Sequence, residues 1–291
     1  EKLELTAVNY HDALLSLNRM NRLAEHSLAM VNRDPDRTAL WVKSLLLGLS
    51  VPEVAETIQS ERGDALELLP EFARLLIRAQ ILQTQGKEKA ARRSLREPFR
   101  GPWNLQYIQE QIALLLRLGA PGEASNLLGY YGPGLRIAES MAQQYLINLA
   151  SNDEWGAQSV FRGLLRKDLS AQRILRLQLL LIRAPNRECF LQLHRMLQAD
   201  AQLAEQVNGA VMWATGLVCN APVEAKTWQR DEHLIYGDGY PAIDQLDFMT
   251  ARMDLKNSVI HIINRVDLPR GVIWELLARM NQQRQLELPG G

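Results

Sequence analysis

Three segments of ten residues decide the fold of this chain: GKEKAARRSL at 86–95, GAPGEASNLL at 119–128 and NDEWGAQSVF at 152–161. They begin at intervals of 33 residues, and each carries an alanine at its sixth position and a large apolar residue at its tenth. The residues that recur are Gly86, Gly119 and Asn152, then Ala91, Ala124 and Ala157, then Leu95, Leu128 and Phe161. A period between about 20 and 50 residues is typical of stacked supersecondary units that bury their apolar faces against one another.

The sequence around these segments predicts that each unit is a pair of antiparallel helices. Residues 72–85 place apolar side chains three and four apart, which indicates an amphipathic helix that Gly86 ends. Residues 87–97 are its predicted partner, followed by Pro98 and by Gly101-Pro102. The same layout predicts helices over 105–118 with 123–130, and over 135–150 with 153–165, where Asp153 is the predicted N-cap. Small residues let the two helices of a pair cross closely.

Outside this stretch the helical pattern continues with weaker repetition. Helices are predicted over 10–33 and 37–49, and a third begins at Ser50-Val51-Pro52-Glu53, with Ser50 as N-cap and Glu53 completing a capping box, and ends near Gly63. Two further pairs are predicted over 170–183 with 186–197 and over 207–218 with 223–228. Beyond Arg230 the pattern changes, so we predict a repeat array over 1–230 and a helical C-terminal capping segment over 231–291 packed on it.

The pairs within 72–105, 105–138 and 138–171 resemble tetratricopeptide repeats, which also combine two helices, a turn, an alanine and a large apolar residue four positions later. The chain departs from the family in its period, 33 rather than 34. It also has Leu75 and Leu82, then Ile108 and Leu115, where the family has Trp and Tyr. The resemblance implies an all-α fold, a right-handed superhelical array of antiparallel helix pairs that forms a tetratricopeptide-like α-solenoid.

The same resemblance implies a concave face, lined by the first helix of each pair, that binds a protein or peptide partner. Carried over by position, the candidate partner-binding residues of this groove are Gln80, Gln83, Gln106, Gln109, Arg117 and Glu139. The alternative is that these are exposed polar positions without a partner. The Lys and Asn residues with which some chaperone-binding members hold a carboxylate are not recognisable here.

The charge balance argues against a nucleic-acid binder. The chain has 291 residues with 33 basic and 33 acidic side chains, and its isoelectric point is about 7.2. Each phosphate that is neutralised needs its own cation, so such proteins usually carry a basic excess. One local basic run, Lys87 to Arg100, leaves nucleic-acid binding open as an alternative, although on helices such a run is more often a solvated face.

No catalytic, metal or cofactor motif stands out, and we predict that the chain is not an enzyme. The five histidines are far apart and lack the HxxxH or HxxE spacing of metal ligands. The one polar cluster is Asp231-Glu232-His233, followed by Tyr236 and Asp238. It leaves a helical-repeat enzyme or enzyme accessory using the 231–240 loop as an alternative to an ordinary surface loop.

The compartment is open between periplasm and cytoplasm. Cys189 and Cys219 lie in apolar surroundings, which favours two buried thiols over a disulfide or a metal pair. No run reaches the ~18 apolar residues of a membrane helix. Because the chain opens at Glu1 without a methionine, we expect that an anchor or signal peptide can precede it, and membrane contact only through such a segment. The hypothesis is a protein-interaction scaffold or adaptor, the soluble part of a bacterial envelope assembly for secretion or polysaccharide export.

Overall fold

Helices form the described part of the chain, and no strand occurs in it. The computed structural model describes residues 10, 11, 14, 19–96, 98, 99, 105–166, 169–228, 271–273 and 275–277. Over these residues the predicted all-α class is confirmed. The chain divides into two compact units, Glu1–Val160 and Phe161–Gly291. The predicted domain boundary at residue 230 and most of the predicted C-terminal cap lie outside the described residues.

The helices described in unit 1 follow the predicted order closely. They are α1 (Met20–Val31), α2 (Thr38–Gly48), α3 (Pro52–Glu67), α4 (Glu71–Thr84), α5 (Glu88–Leu95), α6 (Leu105–Arg117), α7 (Pro121–Tyr131), α8 (Ile137–Ala150) and α9 (Glu154–Leu165), the last of which crosses into unit 2. Short 3₁₀ turns occupy Pro35–Arg37 and Gly132–Gly134. The predicted N-cap at Asp153 is confirmed, since its Oδ1 accepts the backbone N–H of Gly156 at 2.9 Å.

The ends of α4, α6 and α8 share one backbone geometry. The residues that open the three repeated segments have left-handed φ values, namely Gly86 at 73°, Gly119 at 65° and Asn152 at 59°. In each case the next N–H reaches back to a carbonyl five residues earlier: Lys87 to Leu82 (2.8 Å), Ala120 to Leu115 (2.9 Å) and Asp153 to Asn148 (2.8 Å). Glycine adopts this conformation without strain, and Asn tolerates it better than most residues. The same left-handed helix end therefore recurs in the backbone every 33 residues, at the spacing of the repeated sequence segments.

The repeated alanines and large apolar residues are core positions. Ala91, Ala124 and Ala157 are fully buried, and so are Leu95 and Phe161. Helix α4 packs on α5, and α6 packs on α7. A methyl group at the crossing lets two helix backbones approach, while the side chain one turn later fills the space beyond it.

The first helices of successive pairs also pack against one another in unit 1. Helix α4 contacts both α2 and α6, and α6 contacts α8. Helix α4 also packs on α3, and α6 on α5. The α4–α5 and α6–α7 pairs thus pack against the helices before them as well as within themselves, which is the kind of contact that stacked repeats require.

Unit 2 contains the described helices α10 (Ala171–Arg183), α11 (Arg187–Ala199), α12 (Ala201–Glu205), α13 (Gly209–Val218) and α14 (Pro222–Lys226). Helix α13 packs on α10, α11 and α14. At the crossing with α14, a Cβ on Gly216 would lie only 2.6 Å from the Cβ of Ala225. Asn220 ends α13 with a φ of 56°. The helical residues near 271–277 bury Val272, Leu276 and Leu277.

Two predicted helix limits were wrong. Residues 10–33 are not one helix, because Arg19 is non-helical (φ −88°, ψ 69°) and α1 begins after it. Ser50 does not cap α3: its hydroxyl donates to the carbonyl of Leu47 at 2.6 Å, so it closes α2 instead. The N-cap is Val51. The predicted helix end near Arg62 and Gly63 coincides with a kink, because Arg62 has non-helical φ and ψ values (−131° and 19°) within Pro52–Glu67.

No single helix in the described part of the chain is both long and apolar enough to cross a membrane. Two consecutive segments, Pro35–Gly48 and Pro52–Glu67, pass that test only when taken together, and they are bent by 117° at the break.

Candidate functional site

The structure brings together two of the six predicted groove residues. Gln80 on α4 is buried, with an exposed fraction of 1%. Its Oε1 accepts a hydrogen bond from Nη2 of Arg117 on α6 at 3.1 Å, and its Nε2 lies 3.3 Å from the hydroxyl of Thr84. Gln80 and Arg117 therefore join the two first helices to each other.

The other four predicted residues differ in their exposure and contacts. Gln83 and Gln109 are half-buried, and Gln106 is exposed. Glu139 is the third residue of α8, where its carboxylate accepts the backbone N–H of the N-cap residue Arg136 at 3.2 Å. Glu139 thus has a structural contact in the helix start.

A groove lies on a different face of α4, bounded by α3, α5 and α6 within unit 1. Its cavity volume is about 1590 Å³. None of the six predicted groove residues lines it. The α4 residues that line it are Glu71, Phe72, Arg74, Leu75, Ile77, Arg78, Ile81 and Leu82.

Aromatic rings lie at the α6 side of the groove. The rings of Phe72 and Tyr107 have centroids 3.8 Å apart, and Phe72 meets Phe99 edge-on at 6.5 Å. Burial raises the pKa of Tyr107 to about 12, so this phenol is neutral at physiological pH. Together with Leu75 and Leu82, which are half-buried, these rings give the groove an apolar surface.

A buried hydrogen-bond network holds the chain that follows α5 against α6 and α7. The hydroxyl of Tyr131 accepts the backbone N–H of Phe99 at 2.7 Å and donates to Oε1 of Gln111 at 3.1 Å. Gln111 in turn donates through Nε2 to the carbonyl of Leu95 at 2.6 Å. Burial raises the pKa of the Tyr131 phenol, so its donor proton is retained. The network fixes Phe99, and with it one wall of the groove.

Charged side chains of both signs line the groove. Arg74 pairs with Glu67 at 3.6 Å and also donates to the Glu67 carbonyl at 3.2 Å. Asp64, Glu71, Arg78 and Arg93 are exposed and make no ion pair with another described residue. These four charges are available to an occupant of the groove.

The sequence left two alternatives open, an enzyme site in the 231–240 loop and nucleic-acid binding by the basic run from Lys87 to Arg100. The 231–240 loop lies outside the described residues, and Arg100 of the basic run does too. Within that run, the guanidinium group of Arg92 donates to the carbonyl of Leu118, and its Nη2 lies 3.9 Å from Oε2 of Glu88. Arg92 is therefore engaged in contacts within the protein. Among the described residues, no group of three His, Cys, Asp or Glu side chains is placed to hold a metal ion.

The groove was missed because position in the tetratricopeptide pattern pointed to Gln80 and Gln83. A signal for the groove was present in the sequence as the apolar side chains of Phe72, Leu75 and Leu82, which are only half-buried in the structure.

Comparisons of the chain with protein-family models, with curated proteins and with solved structures give no match.

Proposed function

We propose that the protein is an interaction scaffold, built as a tetratricopeptide-like α-solenoid, that holds a peptide segment of a partner protein. The repeated left-handed helix ends at Gly86, Gly119 and Asn152 support the solenoid, as does the packing of α4 on both α2 and α6. Stacked repeats create extended surfaces, and binding is their common use.

The single observation that carries the proposal is the groove on α4, where half-buried apolar side chains lie beside exposed and unpaired charges. Leu75, Leu82 and Phe72 offer an apolar anchor site, while polar groups around them set specificity. Its volume, about 1590 Å³, is larger than the ~300–1,000 Å³ of small-molecule pockets, which favours a polypeptide occupant.

The test is selection of binders from a display library of random 12-residue peptides against the whole protein. Peptides that bind the groove should lose at least about tenfold in affinity when Leu82→Glu places a charge among its apolar contacts. The matched control is Ile137→Glu, which makes the same kind of change at an apolar side chain of α8 that is 68% exposed and outside the groove. Circular dichroism establishes that both variants fold.

Failure of this proposal has a clear form. If the library yields no binders, or if every selected peptide binds Leu82→Glu and Ile137→Glu equally well, the groove is not the partner site.

A further inference from the structure

We infer that the peptide bound in the α4 groove carries a carboxylate at one end and a cationic side chain at the other, with apolar side chains between. This inference rests on the proposed function and adds the chemistry and direction of the occupant. It comes from the way the unpaired charges of the groove are separated along α4.

The positive end is formed by Arg78 and Arg93. Helices α4 and α5 are joined by the tight turn at Gly86, with Arg78 eight residues before it and Arg93 seven after it. In an antiparallel pair, residues at nearly equal distances from the turn lie at the same level. Both guanidinium groups are exposed and line the groove, so together they present donors suited to a carboxylate.

The negative end lies where α3 leads into α4. Asp64 and Glu71 line the groove there as exposed carboxylates, and the nearby Glu67 is already paired with Arg74. Glu71 precedes Arg78 by seven residues. At about 1.5 Å per residue along a helix, the two charges are roughly 10 Å apart along the α4 axis.

The apolar surface lies between these ends. Leu75 falls between Glu71 and Arg78 along α4, and the groove is also lined by Phe72 and Tyr107, whose ring centroids are 3.8 Å apart. A distance of roughly 10 Å is covered by about three residues of an extended peptide or two turns of a helical one. A peptide of the opposite direction would place like charges together, which disfavours binding.

The experiment uses the peptides selected on the whole protein and measures their affinities for two double variants. Arg78→Gln with Arg93→Gln removes the positive end of the groove. Lys89→Gln with Arg96→Gln is the matched control, because it removes two exposed positive charges outside the groove lining, one on α5 and one at the residue that follows it. Asparagine and glutamine replacements of the acidic peptide residues complete a double-mutant cycle.

We expect the selected peptides to carry both signs of charge and to lose about threefold to tenfold in affinity on the Arg78 and Arg93 variant, as is usual for exposed ion pairs. The control variant should bind them like the unmodified protein, and the loss should shrink when salt is raised to about 1 M.

If the peptides depend on Leu82 but are uncharged, or are indifferent to Arg78 and Arg93, this inference is wrong while the proposed function stands. If no peptide depends on Leu82, both the proposed function and this inference are wrong.

Discussion

Arg183 on α10 donates two hydrogen bonds to the carboxylate of Glu275, from Nε to Oε2 at 3.0 Å and from Nη2 to Oε1 at 2.5 Å. The two residues are 92 positions apart. Glu275 is 7% exposed, and its neighbours Leu276 and Leu277 are buried. A bidentate pair of this kind holds the helical residues near 271–277 to α10 within unit 2.

Glu275→Gln should destabilise unit 2 by about 2 kcal/mol, because the bidentate, charge-assisted contact between the Glu275 carboxylate and Arg183 would be lost. The measurement is the denaturant midpoint of the whole protein. Glu188→Gln is the control, since it removes the charge of an exposed glutamate on α11. Equal midpoints for the two variants would mean that the pair does not hold the segment.

Gly119→Ala and Gly122→Ala should change stability in opposite directions. Gly119 has a φ of 65°, where a Cβ costs about 1 kcal/mol or more. Gly122 lies within α7 with nothing within 4 Å of an added Cβ, so alanine should gain about 0.5–1 kcal/mol there. Urea unfolding of both variants checks this. If Gly119→Ala caused no loss of stability, the assignment of Gly119 as a left-handed helix end would be contradicted.

Ala124→Arg should destabilise strongly, by several kcal/mol on the order of other buried unpaired charges. Ala124 lies on α7, which packs on α6, and has no exposed surface. Ser125→Arg, at the adjacent exposed position, controls for helix propensity and charge. A neutral result for Ala124→Arg in thermal unfolding would show that the repeat positions are assigned to the wrong faces.

Lowering the pH should weaken unit 2 through His194. The indole Nε1–H of Trp228 donates to Nδ1 of His194 at 2.9 Å, so the folded state holds the ring neutral with its proton on Nε2. Burial lowers the pKa of His194. The negative charge of Glu224 acts in the opposite direction, and the positive charge of Arg195 lowers this pKa further. The unfolded state therefore binds a proton at His194 more readily than the folded state does. The stabilisation contributed by neutral His194 is complete above about pH 6.5, and it is lost as the pH falls through the lowered pKa that His194 has in the folded state.

The test compares the pH dependence of the free energy of unfolding in the unmodified protein and in His194→Leu, between pH 7.5 and pH 5. The free energy of unfolding of the unmodified protein minus that of His194→Leu should rise with pH and level off above about pH 6.5. A difference that is constant over this range would show that His194 does not titrate on unfolding.

Much of the fold was predictable because its signals are local. Glycine at 86 and 119 marks left-handed helix ends, and Asn152 takes the same conformation because its side chain tolerates it. The alanines mark helix crossings. Ser50 shows the limit of such local signals: the sequence predicts it as the N-cap of α3, whereas its hydroxyl donates to the carbonyl of Leu47.

The site was less predictable, since it depends on contacts between elements distant in sequence. Gln80 reads as a polar surface position, but Arg117, 37 residues later, satisfies it in the interior. Phe99 reaches the groove because Tyr131 binds its backbone N–H, a contact across 32 residues. One sequence does not reveal such pairs.

The most direct test of the central claim is hydrogen–deuterium exchange of the whole protein with and without a selected peptide, read by mass spectrometry. If the peptide binds the groove, amides over 64–82 and 90–99 should gain protection, while α8 and unit 2 should exchange as before. Protection confined to α8 or to unit 2, with none over α4, would contradict the claim that the groove on α4 is where this protein holds its partner.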